Sequence, residues 1–243
     1  MTVTDHIISF ASRQEGSFKR KDLVNYLEKE GILNESSLSM QLDRLVSTGK
    51  LQKVGWGEYS LAPSIKPTFQ VVLTAETLEI GHKLKNRYPF AEFCIWEAAA
   101  VIPFMLHVPN VQMVIVDAER FLEQTFFDAL KEMYPQYAVL PDPSKDEYYK
   151  YGSGKPCIIV HPLITEAPVG IFDDLSVPHA EKLLVDIITN PEFDFAEGRD
   201  LHYIYSNIVK NYSISHRRLL RYARRRSCED KVVELLNPEH FYD

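Results

Sequence analysis

Gly152-Ser153-Gly154-Lys155 has part of the form of a phosphate-binding loop. Such a loop needs a Ser or Thr after its Lys to hold magnesium and a Gly five residues before its second Gly. Here Pro156 takes the hydroxyl position and that Gly is missing. Gly152-Ser153 could also open a nucleotidyltransferase site, but the strand-like run after it, Cys157-Ile158-Ile159-Val160, carries no carboxylate to bind a metal. Asp117-Ala118-Glu119-Arg120 follows an apolar run and faintly has the layout of a metal-dependent nuclease. Arg120 stands where the Lys belongs, and no upstream acid is placed. An Asp117 that ends a strand and caps the next helix is the simpler reading. The eight histidines are scattered, none at an i, i+4 zinc spacing. His107, His161 and His179 each sit near a proline, which suits turn or capping roles. Cys94, Cys157 and Cys228 lack metal-ligand spacing, and the first two lie in apolar runs, as buried thiols in a reducing cytoplasm do. The expectation is a protein with no catalytic residues, no metal and no cofactor. A nuclease using Asp117 and Glu119 is the weakest alternative.

The chemistry that does fit is charge against a nucleic acid. Residues Ser17–Leu61 read as a helix-turn-helix followed by a β-hairpin wing. Phe18 opens the stretch, and Lys19-Arg20-Lys21-Asp22 leads into a helix with Leu23, Val24, Tyr26 and Leu27 on one face. Gly31 stops it, since Gly readily takes the left-handed conformation past a helix end. Asn34 can cap the next helix, about Glu35–Thr48, whose buried side is Leu38, Leu42, Leu45 and Val46. The opposite side offers Ser36, Met40, Asp43 and Ser47, flanked by Ser37 and Arg44. Small hydroxyl residues let a helix approach base edges, and Arg44 can reach a guanine edge or a phosphate. Two short strands, Leu51–Val54 and Glu58–Leu61, surround Gly55-Trp56-Gly57, a reversal suited to a hairpin. Lys53 and Trp56 lie where a wing meets the sugar-phosphate backbone. Residues 1–62 hold eight Lys/Arg and eight Asp/Glu, so the segment is neutral overall. The alternative to DNA binding is therefore a winged helix used for protein contacts alone.

These residues need two domains to carry them. A chain of 243 residues accommodates a winged helix over 1–63 and a larger α+β domain over 68–243, joined at Pro63-Ser64-Ile65-Lys66-Pro67. A helix at Val3–Gln14 completes a three-helix core in the first. In the second, a helix spans Thr77–Arg87, a strand Glu92–Trp96 and an Ala-rich helix Glu97–Leu106. Val111–Val116 is the clearest buried strand, followed by an amphipathic helix over Ala118–Tyr134. Tyr137–Leu140 and Cys157–Val160 read as further strands, and Pro141–Gly154 as an exposed loop. The pattern then turns helical through Pro178–Thr189, Glu197–Lys210, Ser215–Arg226 and Glu229–Leu236. Strands first and helices last give a small sheet with a helical C-terminal part. No apolar run reaches the length of a membrane span and Met1–Phe10 lacks a signal-peptide core, so the expected location is the cytoplasm.

Pro178-His179-Ala180-Glu181-Lys182-Leu183-Leu184-Val185-Asp186-Ile187-Ile188, together with the N-terminal winged helix, resembles the AbiEi family, antitoxins of abortive-infection, type IV toxin–antitoxin systems. That family joins a winged helix to an antitoxin domain with a Pro-x-x-Glu-Lys-x-Leu-x-Asp-like helix start. Glu97-Ala98-Ala99-Ala100-Val101-Ile102-Pro103 departs from the Thr/Ser-rich, Leu-rich helix expected there. The resemblance implies a transcriptional regulator that represses its own operon from repeated half-sites, as a homodimer on double-stranded DNA. It also implies a cognate toxin of the nucleotidyltransferase class. The local reading is that Glu181 favours the helix start and Lys182–Asp186 is an i, i+4 ion pair. On the helix Ser215–Arg226, Arg217, Arg218, Arg221, Arg224 and Arg225 fall within a stripe of roughly 120°. Residues 66–211 hold 12 Lys/Arg against 21 Asp/Glu, so the stripe is either paired internally, solvated, or open to an acidic partner or nucleic acid.

Overall fold

The computed structural model describes residues 2–14, 16–62 and 66–237. The chain divides into two compact units, Met1–Ile65 and Lys66–Asp243, and residues 63–65 of the expected connector lie outside the described residues.

The first unit holds α1 (Val3–Ser12), β1 (Ser17–Lys19), α2 (Arg20–Lys29), α3 (Glu35–Ser47), β2 (Leu51–Gly55) and β3 (Glu58–Leu61). Thr2 and Asp5 form a reciprocal capping box that starts α1. Gly31 takes φ +69°, and the Ile32 N–H returns to the Leu27 carbonyl, which closes α2. Asn34 caps α3 by accepting from the Ser37 N–H at 3.3 Å. Ile7, Leu23, Leu27, Leu38 and Leu42 meet in one core with Phe18, Leu51 and Tyr59. The three strands form an antiparallel sheet in the order β1-β3-β2. Phe18 opens the stretch as a strand residue. It is the buried middle residue of β1, opposite Tyr59, a strand too short to show alternation.

The second unit is built on a four-stranded sheet of order β4-β5-β7-β6, from β4 (Phe93–Glu97), β5 (Met113–Ala118), β6 (Ala138–Pro141) and β7 (Cys157–Pro162). β5, β7 and β6 are parallel and β4 is antiparallel to β5. β4 and β5 are buried at every residue, as strands covered on both faces must be. A separate hairpin, β8 (Val169–Phe172) and β9 (Leu175–Pro178), precedes α7. The helices are α4 (Ala75–Arg87), α5 (Glu123–Met133), α6 (Lys145–Tyr151), α7 (Ala180–Thr189), α8 (Arg199–Asn211), α9 (His216–Arg225) and α10 (Glu229–Leu235). The fold is mixed α+β with small sheets. Among the described residues, no helix is long and apolar enough to cross a membrane.

The structure departs from several of these expectations. Glu97–Leu106 is not one helix: Glu97 ends β4, and two short 3-10 turns follow, Ala98–Ala100 and Ile102–Phe104. The Glu97 carboxylate is drawn back to α4, where it accepts from the Thr74 N–H at 2.7 Å and the Thr77 hydroxyl at 3.2 Å. Pro141–Gly154 is not an exposed loop. It contains α6, started by a Ser144/Glu147 capping box and anchored by buried Tyr148. The hairpin β8–β9 lies where only connection was expected; Asp173 and Asp174 supply its turn at φ +46° and +62°. Asp117 caps no helix, because β5 runs to Ala118 and Leu122 is the N-cap of α5.

Candidate functional site

In the first unit, Lys19 is the last residue of β1 and the N-cap of α2, and Arg20 and Lys21 form the first turn of that helix. The Arg20 N–H donates to the Gly57 carbonyl at 2.7 Å, and Lys19 stands opposite Glu58 in the sheet. Lys19, Arg20, Lys21 and the reversal Gly55-Trp56-Gly57 therefore share one corner. Lys53 is exposed on β2, opposite Tyr59, and Trp56 is 100% exposed. Among the described residues, Lys19, Arg20, Lys21, Arg44 and Lys53 have no acidic partner.

On α3, Met40 is 68% exposed, and Asp43 and Arg44 face solvent. Ser36 and Ser37 commit their hydroxyl protons locally: Ser36 donates to Asn34 Oδ1 at 2.7 Å and Ser37 to the Asn34 carbonyl at 3.2 Å. They keep lone pairs for a donor but have no proton free for an acceptor. Ser47 likewise donates to the Arg44 carbonyl. Among the described residues, no hydrogen bond or ion pair joins Met40 or Arg44 to the Lys19–Trp56 corner.

The second unit places its charges in a buried centre. Lys182, in the first turn of α7, is 1% exposed and lies over the Trp96 ring. Its Nζ donates to Asp117 Oδ2 of β5 at 2.6 Å and to Asp186 one turn along. Asp186 also accepts from the Tyr222 hydroxyl at 3.0 Å and faces Arg226 at 3.7 Å, while Asp117 accepts from the Trp96 indole at 3.3 Å. Burial alone would lower the Lys182 pKa, but Asp117 and Asp186 outweigh it and hold the ammonium well above its usual range. Burial also raises the Asp186 pKa against the pull of Lys182. Next to this group His161, opposite Asp117 in the sheet, shares protons with Asp142 through Nδ1 and with Glu192 through Nε2, each at 2.7 Å. Burial pulls His161 down, yet the two carboxylates win and push its pKa up to about 10. The second Glu192 oxygen is buried without a hydrogen-bond partner.

Asp117, Asp142 and His161 all stand at the carboxyl ends of the parallel strands, where open sheets bind ligands. Here they are spent on one another and on α7 and the turn Pro191–Ala196. Glu119 turns elsewhere and accepts from the Glu92 N–H, so the Asp117/Glu119 pair does not converge. Among the described residues, no His/Cys/Asp/Glu group could hold a metal ion. His161 is a buried strand residue rather than a turn residue. Trp96, Glu192, Tyr222 and Arg226 were not anticipated from sequence, since each meets the centre from a distant element.

The five-arginine stripe of α9 is largely committed. Arg218 pairs with Glu181 at 2.8 Å, Arg221 and Arg225 with Glu166 at 3.4 and 2.7 Å, and Arg224 with Glu229 at 2.7 Å. Glu181 is 1% exposed and also accepts from the Ser215 N–H, which starts α9. Arg217 is exposed with no acidic partner among the described residues. Residues 37–240 match a family of unknown function, DUF6577. The chain matches no curated protein.

Proposed function

We propose that this chain, which belongs to the DUF6577 family, is a DNA-binding transcriptional regulator whose first unit is a winged helix-turn-helix. One observation carries the reading. The element order helix–strand–helix–helix–strand–strand, with the antiparallel strand order β1-β3-β2, is that of a winged helix with α3 as its reading helix and β2–β3 as its wing. The cations agree with it, because Lys19, Arg20, Lys21 and Lys53 cluster at the wing without acidic partners. Net neutrality of the unit does not oppose binding when the unpaired charges sit on the contacting side. In this reading Arg44, Met40, Ser36 and Ser37 face the major groove, and two copies sit on repeated half-sites.

The resemblance to AbiEi antitoxins extends the proposal to a partner toxin of the nucleotidyltransferase class. The motif residues Glu181, Lys182 and Asp186 are buried, so they would shape such a surface from within. Arg217 is the stripe residue best placed to touch a partner.

Fluorescence anisotropy on DNA from upstream of the gene tests the first part. Affinity should fall steeply with salt as phosphate counterions are released. Arg44→Ala should weaken the specific site by about 1–3 kcal/mol beyond its effect on random DNA. No salt-dependent binding to any duplex would leave a protein-interaction module instead. Co-expression with a neighbouring nucleotidyltransferase gene tests the second part: growth should recover only with this chain present.

A further inference from the structure

We propose that Trp56 is a base-stacking wedge, inserted by the wing into a base step that is opened or unpaired beside the site read by α3. The inference deepens the DNA-binding reading and rests on it. Trp56 is 100% exposed, whereas Phe18, Tyr59 and Leu51 fill the core of the same unit. The hairpin does not need a large ring at this position. Its tight reversal is supplied by Gly57 at φ +67° and by the register shift between Lys53 and Gly55. With Gly on both sides, the indole stands clear of neighbouring side chains, and the tip can enter a gap about as narrow as its own ring.

The surroundings define the occupant as a polyanion that carries flat rings. The Arg20 N–H pins the reversal through Gly57, so the start of α2, with Lys19, Arg20 and Lys21, abuts the hairpin tip that carries Trp56, and Lys53 lies on β2 of the same hairpin. Glu58, the acid of the wing itself, accepts from the Ser17 hydroxyl at 2.5 Å through one oxygen and lies against Gly55 with the other, so it is held to the hairpin backbone. Phosphates would meet the cations while a base stacks on the ring, the combination that aromatic residues in basic grooves use. An intact step must first be unstacked, so DNA already carrying an unpaired base should bind more tightly.

The test is intrinsic fluorescence of the full chain titrated at low salt with a mixed-sequence duplex, the same duplex with a one-base bulge, and a single-stranded oligonucleotide. Of the two tryptophans, Trp96 is 0% exposed and stacked on Phe193 at 5.2 Å, so quenching by DNA reports Trp56. The expected result is strong quenching that is absent in Trp56→Phe, and tighter binding to the bulged duplex than to the intact one. Trp56→Ala should lose about 10-fold in affinity or more for the bulged duplex, with Trp56→Phe retaining most of it. Salt-dependent DNA binding with no quenching and an unaffected Trp56→Ala variant would overturn the wedge and leave the regulator reading standing. Absence of binding to all three probes would overturn both.

Discussion

Replacing Lys182 with Met removes one ammonium from between two carboxylates and changes little else. Met keeps the length of the side chain and its packing over Trp96. Asp117 and Asp186 are 3% and 2% exposed, so neither can recover hydration once the Nζ is gone. Asp117 would retain the Trp96 indole and Asp186 the Tyr222 hydroxyl and the more distant Arg226. Those contacts do not neutralise two charges in one dry site. Breaking a buried pair from one side costs about 3–5 kcal/mol, and that is the expected loss in unfolding free energy at pH 7. Burial already raises the Asp186 pKa against the pull of Lys182, so without the ammonium it rises further and the folded variant takes up a proton more readily. Folded protein then binds more protons than unfolded, so the variant should regain stability as the pH falls from 7 towards 5. Urea unfolding followed through the emission of buried Trp96 measures both. Combining Lys182→Met with Asp117→Asn and Asp186→Asn should recover part of the loss, because no unpaired buried carboxylate remains. A loss under about 1 kcal/mol with no pH dependence would mean that the centre is hydrated, and the reasoning would fail.

The arginine stripe should behave differently from one position to the next. Arg217, Arg221 and Arg224 changed together to Gln remove pairs in which Arg221 and Arg224 are 58% and 65% exposed, and such solvated pairs add little to stability, so thermal unfolding should shift by only a few degrees. Arg218→Ala leaves the buried Glu181 carboxylate with only a backbone donor and should cost about 1–3 kcal/mol on its own; equal small effects from both variants would show that Glu181 is not buried in solution. His161 gives a pH test. Its pKa is raised from 6.5 to about 10, so its contribution is complete below pH 6.5 and is lost as the pH rises through about 10. Wild-type stability should fall between pH 7 and pH 10, with a shallower slope in His161→Gln, and identical slopes would remove His161 from the account.

Legibility in the sequence followed the range of the interaction. Gly31 and Asn34 act within four residues of themselves, and both do in the structure what their types predict. Lys182 and Asp186 were readable as a pair for the same reason. Their third partner, Asp117, lies 65 residues away and had an equally good local explanation as a helix cap. The hairpin at Asp173-Asp174 was hidden because Asp-Asp is a poor sequence signal for a turn with both residues at positive φ. Its support is tertiary: Lys85 and His82 of α4 hold it through the Asp174 carboxylate and the Asp173 carbonyl. Ser144 and Glu147 did carry a legible signal, Ser-x-x-Glu, outweighed by the polarity of the stretch around them.

The two units treat charge in opposite ways, and that difference bears on where partners can act. In the second unit Asp117 and His161, at the ends of the parallel strands, are already desolvated against Lys182, Asp186 and Glu192. A ligand there would have to separate Lys182 from Asp117 and Asp186, at a cost of several kcal/mol that few contacts could offset. The pairs of Arg221, Arg224 and Arg225 with Glu166 and Glu229 are half in water and weakly held, so an acidic partner could exchange with them at little cost. In the first unit nothing has to be exchanged. Lys19, Arg20, Lys21, Arg44 and Lys53 are without acidic partners among the described residues, and each phosphate contact they would make under the proposed function displaces only counterions and water. On the proposed reading a polyanion would find its most favourable surface on the unit with no net charge, because the arrangement of charge, rather than its sum, sets what remains to be bound.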